Sequence, residues 1–433
     1  MHKSLFTTVL LCFFLFFSKN AISNQNGSLN QPFLGWPAKT PPIASKYYDL
    51  TPTAKSAYNK IHCLRFDEAA VLIQKLKKEE PYNLIVGLVE DHLDFLKVLI
   101  SSDEFTFKLL EKNKDSRLNE LEKGDKGSPY HLFSMAMVRL HWAILNGKYN
   151  KYLAAINDIK QSYNLLTENQ RRFPDFKANL LPLGVMHALI GTVPEEYRWA
   201  VKLVGGMEGS VNQGIGEVEN VIDFSLKNRD FPFGDEAMVT YSFLLMYIGN
   251  DAEKGWKTLQ KSSLNPKTNP LAAFAIANLA IKTARNDLAI KTLEEMPSGK
   301  EFYPFPYKNF LLGLAKLYRL DDDANKPLEA WVANQVSVFY VKEGYQKLAW
   351  FHLVNGNLNG YKYYIEFCKT RGSDRIETDQ VAQREAETGE MPNPKLLRAR
   401  LLFDGGYFQR AFDYLSTKEN LFKIKKEQLE FGY

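Results

Sequence analysis

Cysteine is nearly absent. The chain of 433 residues holds three, and one of them, Cys12, lies in an apolar run near the start. A disulfide-held exported domain carries many more at short spacing, so stability here must come from packing. Cys63 and Cys368 stand far apart in helical patterns and read as buried free thiols. Histidine is sparse too, with seven residues. Beyond His2 they are His62, His92, His131, His141, His187 and His352, scattered along the chain, and none forms His-Glu-x-x-His. No Gly-x-Ser-x-Gly occurs. A charge excess is also missing, with 55 basic against 50 acidic residues and a net charge of +5. That balance excludes nucleic-acid binding and strong attraction to an anionic membrane as the main activity. No segment alternates with the period of two that a strand requires, and no strand-helix-strand unit appears.

The composition that is present is globular: 45% hydrophobic and 24% charged. Aromatics are abundant at 13%, with 29 Phe and 22 Tyr. The start reads as a signal peptide over residues 1–23. "MHK" supplies the positive end, "LFTTVLLCFFLFF" the apolar stretch, and Ala21 and Ser23 the small residues before a cut. The apolar stretch is too short to span a bilayer, no small residues mark Cys12 for lipidation, and no later segment is a membrane candidate. Residues 24–51, rich in Asn, Gln, Pro and Ser, read as an extended leader docked through Trp36 and Tyr47 or Tyr48.

From residue 52 onward apolar residues recur at spacings of three and four, divided by short Gly, Asn, Asp and Pro turns. Several helix-turn-helix units total about 34 residues, the length of a tetratricopeptide repeat. Such a hairpin needs small residues twelve positions apart so that its helices can approach. Ala57 and Ala69, Ala277 and Ala289, and Ala399 and Ala411 supply them, with Pro81 and Pro297 as terminators. Degenerate copies keep the turn but place Leu140 or Tyr361 at the small position. The predicted fold is all-α, an α-α superhelix: a right-handed solenoid of roughly ten hairpins. Residues 52–206 form an N-terminal run and 207–433 a C-terminal one. "KIKKEQLEFGY" begins a helix without a cap, which predicts further repeats downstream in a longer parent protein.

Between the two runs, Gly191–Glu219 reads Pro, helix, then "GGMEGSVNQGIG". On Pro194, Gly205, Gly206, Gly209, Gly214 and Ile215 this stretch resembles the linker of the tetratricopeptide repeat protein 39 family, which includes an outer-membrane-associated member. "LLFDGGYFQRAFDYL" is likewise similar to exported tetratricopeptide-repeat (TPR) proteins of Bacteroidota. The resemblance runs over most of the chain from about residue 52. It implies an α-solenoid that works by contact, and it carries no catalytic residues.

The same glycines were weighed as a phosphate cradle. Gly209 and Gly214 have Walker spacing, but Ile215 and Gly216 stand where Lys and Ser or Thr are required. Gly214 and Gly216 start a dinucleotide fingerprint, but Glu219 takes its third glycine position and a helix precedes it in place of a strand. The stretch reads as a joint. "DDDAN" at Asp321–Asn325 mimics the start of a calcium loop, but Lys326 and Val332 occupy the Gly and Glu positions, so a capping turn is predicted. Glu90, Asp91, His92 and Asp94 read as a solvated helix face. Asp67, Glu68, Glu79 and Glu80 sit at helix ends, where the dipole accounts for them. His62 and Cys63, adjacent on a helix, cannot act as base and nucleophile. The aromatic segments "NRDFPFGDE", "KEFYPFPYKNF" and "VSVFYVKEGYQKLAWFHL" read as packing between hairpins, with a binding surface as the alternative.

These readings predict no catalytic residue, no cofactor and no metal. The expected function is an exported, non-enzymatic TPR scaffold for a protein or peptide partner in a bacterial periplasm or at the outer membrane. The alternative is a glycan- or nutrient-binding module of the cell envelope. Two outcomes separate them: a continuous groove lined by Asn, Lys and Arg favours peptide, and clustered Tyr and Trp with no backbone-sized groove favour glycan.

Overall fold

The computed structural model describes residues 45–194, 206–334 and 337–417. The segment read as a signal peptide, Trp36, Gly205 and the helix expected at "KIKKEQLEFGY" lie outside the described residues. Helix α1 (Pro52–His62) and α2 (Phe66–Glu79) form the first hairpin. The long α3 (Ile85–Ser101) is followed by two short helices, α4 (Glu104–Glu111) and α5 (Asn113–Leu121). Pairs then succeed one another: α6 (Pro129–Lys148) with α7 (Tyr152–Arg172), α8 (Leu180–Gly191) with α9 (Val211–Lys227), and α10 (Gly234–Tyr247) with α11 (Ala252–Leu259). The series continues with α12 (Pro270–Lys282) and α13 (Asn286–Glu294), α14 (Tyr307–Arg319) and α15 (Asn325–Ala333), and α16 (Val341–Val354) and α17 (Leu358–Thr370). A single helix, α18 (Glu377–Thr388), leans on α16 and α17 before the last described hairpin, α19 (Pro394–Asp404) and α20 (Phe408–Ser416). No strand occurs among the described residues. The architecture is all-α, with helices packed in consecutive pairs as in an α-α superhelix. The pairing predicted from sequence is interrupted at α3–α5 and at α18.

Local chemistry sets the helix starts. Thr51, Ser128, Asn269 and Asn393 each precede a proline, and each side chain accepts a first-turn backbone N–H. A polar N-cap satisfies a donor that the helix cannot, and proline at the next position has no N–H to leave unpaired. The turns share a second device, one residue in the left-handed region. It is Leu64 between α1 and α2, Asn150 between α6 and α7, Asn250, Ala284, Leu320, Gly356 and Gly406 in later hairpins. Five of the seven carry a side chain that this region disfavours, so the pairing of the flanking helices fixes the turn.

Small residues let the pairs close. Ala57, Ala69, Ala277 and Ala289 are fully buried, and Ala399 and Ala411 nearly so. In α10 and α11 the contact is instead Ser242 on Gly255, whose carbonyl lies 2.8 Å from the Ser242 hydroxyl. The first hydrophobic core runs continuously from Tyr48 to Ala315, and a second runs from Phe310 to Leu401. Of the leader, Tyr47 bridges to Asn83, while Tyr48 is buried and donates its hydroxyl to Leu121 O. The docking expected at Tyr47 or Tyr48 is therefore present.

The array also touches itself across long sequence distances. Tyr303 N donates to Leu64 O at 2.6 Å, and the Tyr303 ring lies 4.7 Å from that of Phe66. Tyr149 meets Phe339 at 6.4 Å. The connection before α14 thus reaches the first hairpin, and the residues before α16 reach the end of α6. No helix among the described residues is long and apolar enough to cross a membrane.

Candidate functional site: an aromatic cavity where the coil meets itself

Two aromatic segments converge where those long-range contacts form. Phe305, Tyr307 and Phe310 come from the start of α14, Trp331 from α15, and Phe339 and Tyr340 from the turn before α16. With Phe274 and Ile281 of α12 and Leu314 of α14 they enclose a cavity of about 220 Å³. The rings hold one another in mixed tilted and edge-on contacts. Tyr307 and Trp331 lie 5.7 Å apart at 83°, and Tyr307 and Tyr340 5.1 Å apart at 56°. Such contacts contribute beyond the area they bury and fix the wall.

A carboxylate from another helix positions Tyr340. The Asp379 side chain of α18 accepts Tyr340 N at 2.8 Å and Glu343 N at 2.9 Å. It caps the start of α16 while Tyr340 itself sits in the left-handed region. Burial raises the Asp379 carboxyl to about 7.

At the other end the cavity reaches the C-termini of α3 and α6. Lys148, the last residue of α6, is 4% exposed. Its ammonium donates to Leu99 O at 2.9 Å and to Ser102 Oγ at 2.6 Å, and lies 5.1 Å from the Phe339 ring centroid. Burial pushes it down to about 7. No carboxylate among the described residues pairs with it. Glu343 lines the same space, but its carboxylate faces Lys347 at 3.6 Å.

A second polar cluster lies in the first core. His62 of α1, His92 of α3 and His141 of α6 come together from three helices. The Nε2 atoms of His62 and His92 are 2.6 Å apart, so one donates and the other accepts. His141 Nδ1 bonds Asp91 Oδ2 at 2.8 Å, and Asp91 Oδ1 accepts from Trp142 Nε1 and Arg117. Arg117 also donates to Asp94 at 2.6 Å. Burial drives His62 and His92 well below the usual histidine range and Glu236, beside Tyr58, well above the carboxylate range. The adjoining space of about 20 Å³ has room for about one water.

This overturns the reading of Asp91, His92 and Asp94 as a solvated face: all three are buried. The cause is α3 itself, "IVGLVEDHLDFLKVLIS", whose apolar residues cover most of its circumference. Its charges are therefore answered inside the protein, by Arg117, His141 and Trp142.

The glycine stretch is a backbone contact. Helices α8 and α9 cross so closely that a Cβ on Gly184 would lie 2.7 Å from Gly214 O, and one on Gly209 would lie 2.6 Å from His187 Cα. A side chain on Gly214 would overlap the carbonyl oxygen of Gly184. Glu217 bonds His187 Nδ1 at 2.6 Å, and Glu219 accepts from Tyr241. The glycines therefore serve the approach of two paired helices, with their carboxylates already engaged. Gly206 is left-handed, as a tight corner requires.

Asp321 is bonded by Arg319 and Asp323 by Lys316, and the cap expected from this segment is not made: α15 starts after Ala324 with no side-chain capping bond. Phe231 and Phe233 of "NRDFPFGDE" pack on Phe224, Tyr58 and Phe133 in the first core. Cys368 is buried and Cys63 only partly buried, and neither forms a disulfide among the described residues. No protein family, no curated protein and no solved structure matches this chain.

Proposed function

We propose that this chain is an exported, non-enzymatic helical-repeat protein that binds a small apolar ligand in the aromatic cavity, within a bacterial envelope. The convergence of two distant aromatic segments on one space of about 220 Å³ carries this reading. The space is somewhat larger than the roughly 150 Å³ that accepts benzene in an apolar core. It falls below the roughly 300 Å³ at which drug-sized sites begin. Rings clustered around one space favour the glycan- or nutrient-binding alternative over the peptide scaffold. Rings turned edge-on toward one another leave few flat faces for sugar stacking, which favours an apolar ligand over a glycan.

The hairpins themselves we read as degenerate tetratricopeptide repeats. Support comes from the left-handed turn residues Asn250, Ala284, Leu320 and Gly356, spaced 34, 36 and 36 residues apart. A protein partner on the outside of such an array is the second reading, and export rests on residues 1–23.

The test uses ligand-observed NMR on the mature chain, with 1-octanol as probe. Saturable octanol binding that is lost in Leu314→Trp, a substitution that fills the cavity, is the expected result. Octanol binding unchanged by Leu314→Trp would overturn the reading. So would a peptide pool or an oligosaccharide that binds where octanol does not.

A further inference from the structure

The geometry points to an apolar monocarboxylate as the ligand of this cavity, its body among the rings and its carboxylate on Lys148. The inference rests on the cavity being a ligand site and adds the chemical class of what fills it.

An ammonium has three protons. Two of those on Lys148 are engaged by Leu99 O and Ser102 Oγ, both at the C-terminus of α3. Ser102 Oγ in turn donates to Leu99 O at 3.2 Å, so its remaining lone pair is what Lys148 uses. No acceptor among the described residues takes the third proton. Among the described residues the charge has no counter-ion, and a buried charge that lacks one is costly. The lining of the cavity is mostly apolar, with Leu99, Ile100, Phe274, Phe305 and Phe339 among it, and Lys282 is its second lysine. Of the acids among the described residues, only Glu343 borders the space, and it is already held by Lys347. A ligand with a long apolar body and one anionic end satisfies both halves of this site. A neutral alcohol satisfies only the first, and an amine is repelled.

A structural role for Lys148 must be weighed beside this. Lys342 is a buried lysine that donates to Cys368 O at the end of α17, and it does no more than cap that helix. Lys148 caps α3 in the same way. One thing sets it apart: Lys148 borders a cavity. If capping were its whole role, the charge of the ligand would not matter.

The experiment compares octanoate, 1-octanol and octylamine by ligand-observed NMR on the full mature chain at pH 6.5. The expected result is octanoate binding about tenfold more tightly than octanol, the worth of one charge-assisted hydrogen bond. Octylamine should bind more weakly than octanol. In Lys148→Met octanol should still bind while the preference for octanoate disappears. Equal affinity of the wild type for octanoate and octanol would overturn the inference and leave the cavity reading standing. Absence of octanol binding would instead sink the cavity reading. The octylamine comparison needs no variant, so the inference stays open to refutation even if Lys148→Met does not fold.

Discussion

Replacing Lys148 by Met should abolish one part of the protein's pH dependence. Burial holds this ammonium at about 7 against an ordinary 10.5. Each unit corresponds to about 1.4 kcal/mol, so the full difference approaches about 5 kcal/mol. Between those two values the unfolded chain holds a proton that the folded chain has released. Stability therefore rises with pH across this window, and the cost is complete at and below pH 7. Methionine carries no such cost, although it gives up the bonds to Leu99 O and Ser102 Oγ, worth about 1.5–3 kcal/mol each when charged. Urea denaturation followed by tryptophan fluorescence at pH 7, 8, 9 and 9.5 stays below ordinary tyrosine titration. The wild type should gain about 3 kcal/mol on Lys148→Met over that range. Titrations elsewhere cancel in the difference. Two stability curves that run parallel to within about 0.5 kcal/mol would refute a buried, uncompensated ammonium.

Four other outcomes follow from the geometry. Gly214→Ala drives a methyl into Gly184 O and Ala188, and should cost about 1–3 kcal/mol or more, read as a lower urea midpoint. Asp379→Ala leaves Tyr340 N and Glu343 N without their acceptor. It should cost about 2 kcal/mol and weaken octanol binding, because Tyr340 is a wall of the cavity. Below pH 6.5 the unfolded chain takes up protons that His62 and His92 refuse, so their contribution is full above that value and drains as pH falls. Glu236 acts in the opposite direction but is common to both proteins, and the wild type should lose about 2.5 kcal/mol relative to the double variant His62→Gln, His92→Gln between pH 7 and 5.5. Finally, the Cys368 thiol, raised to about 12 by burial, should resist a disulfide reagent in the native protein and react with it in urea, whereas partly buried Cys63 reacts first.

The hairpins were legible because each depends on residues close in sequence. Ala57 with Ala69 and Ala277 with Ala289 are read at a fixed spacing, and the cap before Pro270 lies within four positions. The candidate site was not legible for the converse reason. Lys148 stands in "NGKYN", which has the composition of an exposed turn, and its burial comes from Phe339, nearly two hundred residues later. The aromatic segments were visible, and reading them as packing was half right: the rings do pack on each other, but around a space. The histidines looked scattered because no single helix carries two of the three that meet. One local signal was available for them. A helix as apolar all round as Ile85–Ser101 has no solvent face on which to place Asp91 and His92.

The bond from Tyr303 N to Leu64 O has a consequence for how this protein can change over time. In an open array each hairpin answers only to its neighbours, so a copy can be duplicated or lost and the rest persists. Here the number of hairpins between residues 64 and 303 sets whether the two ends of that bond meet. Gain or loss of one unit would displace Phe66 from Tyr303 and Tyr149 from Phe339 together, and the cavity would open. The repeat count is therefore fixed by closure, and variation in this lineage should fall on the residues that line the cavity and spare the number of hairpins around it.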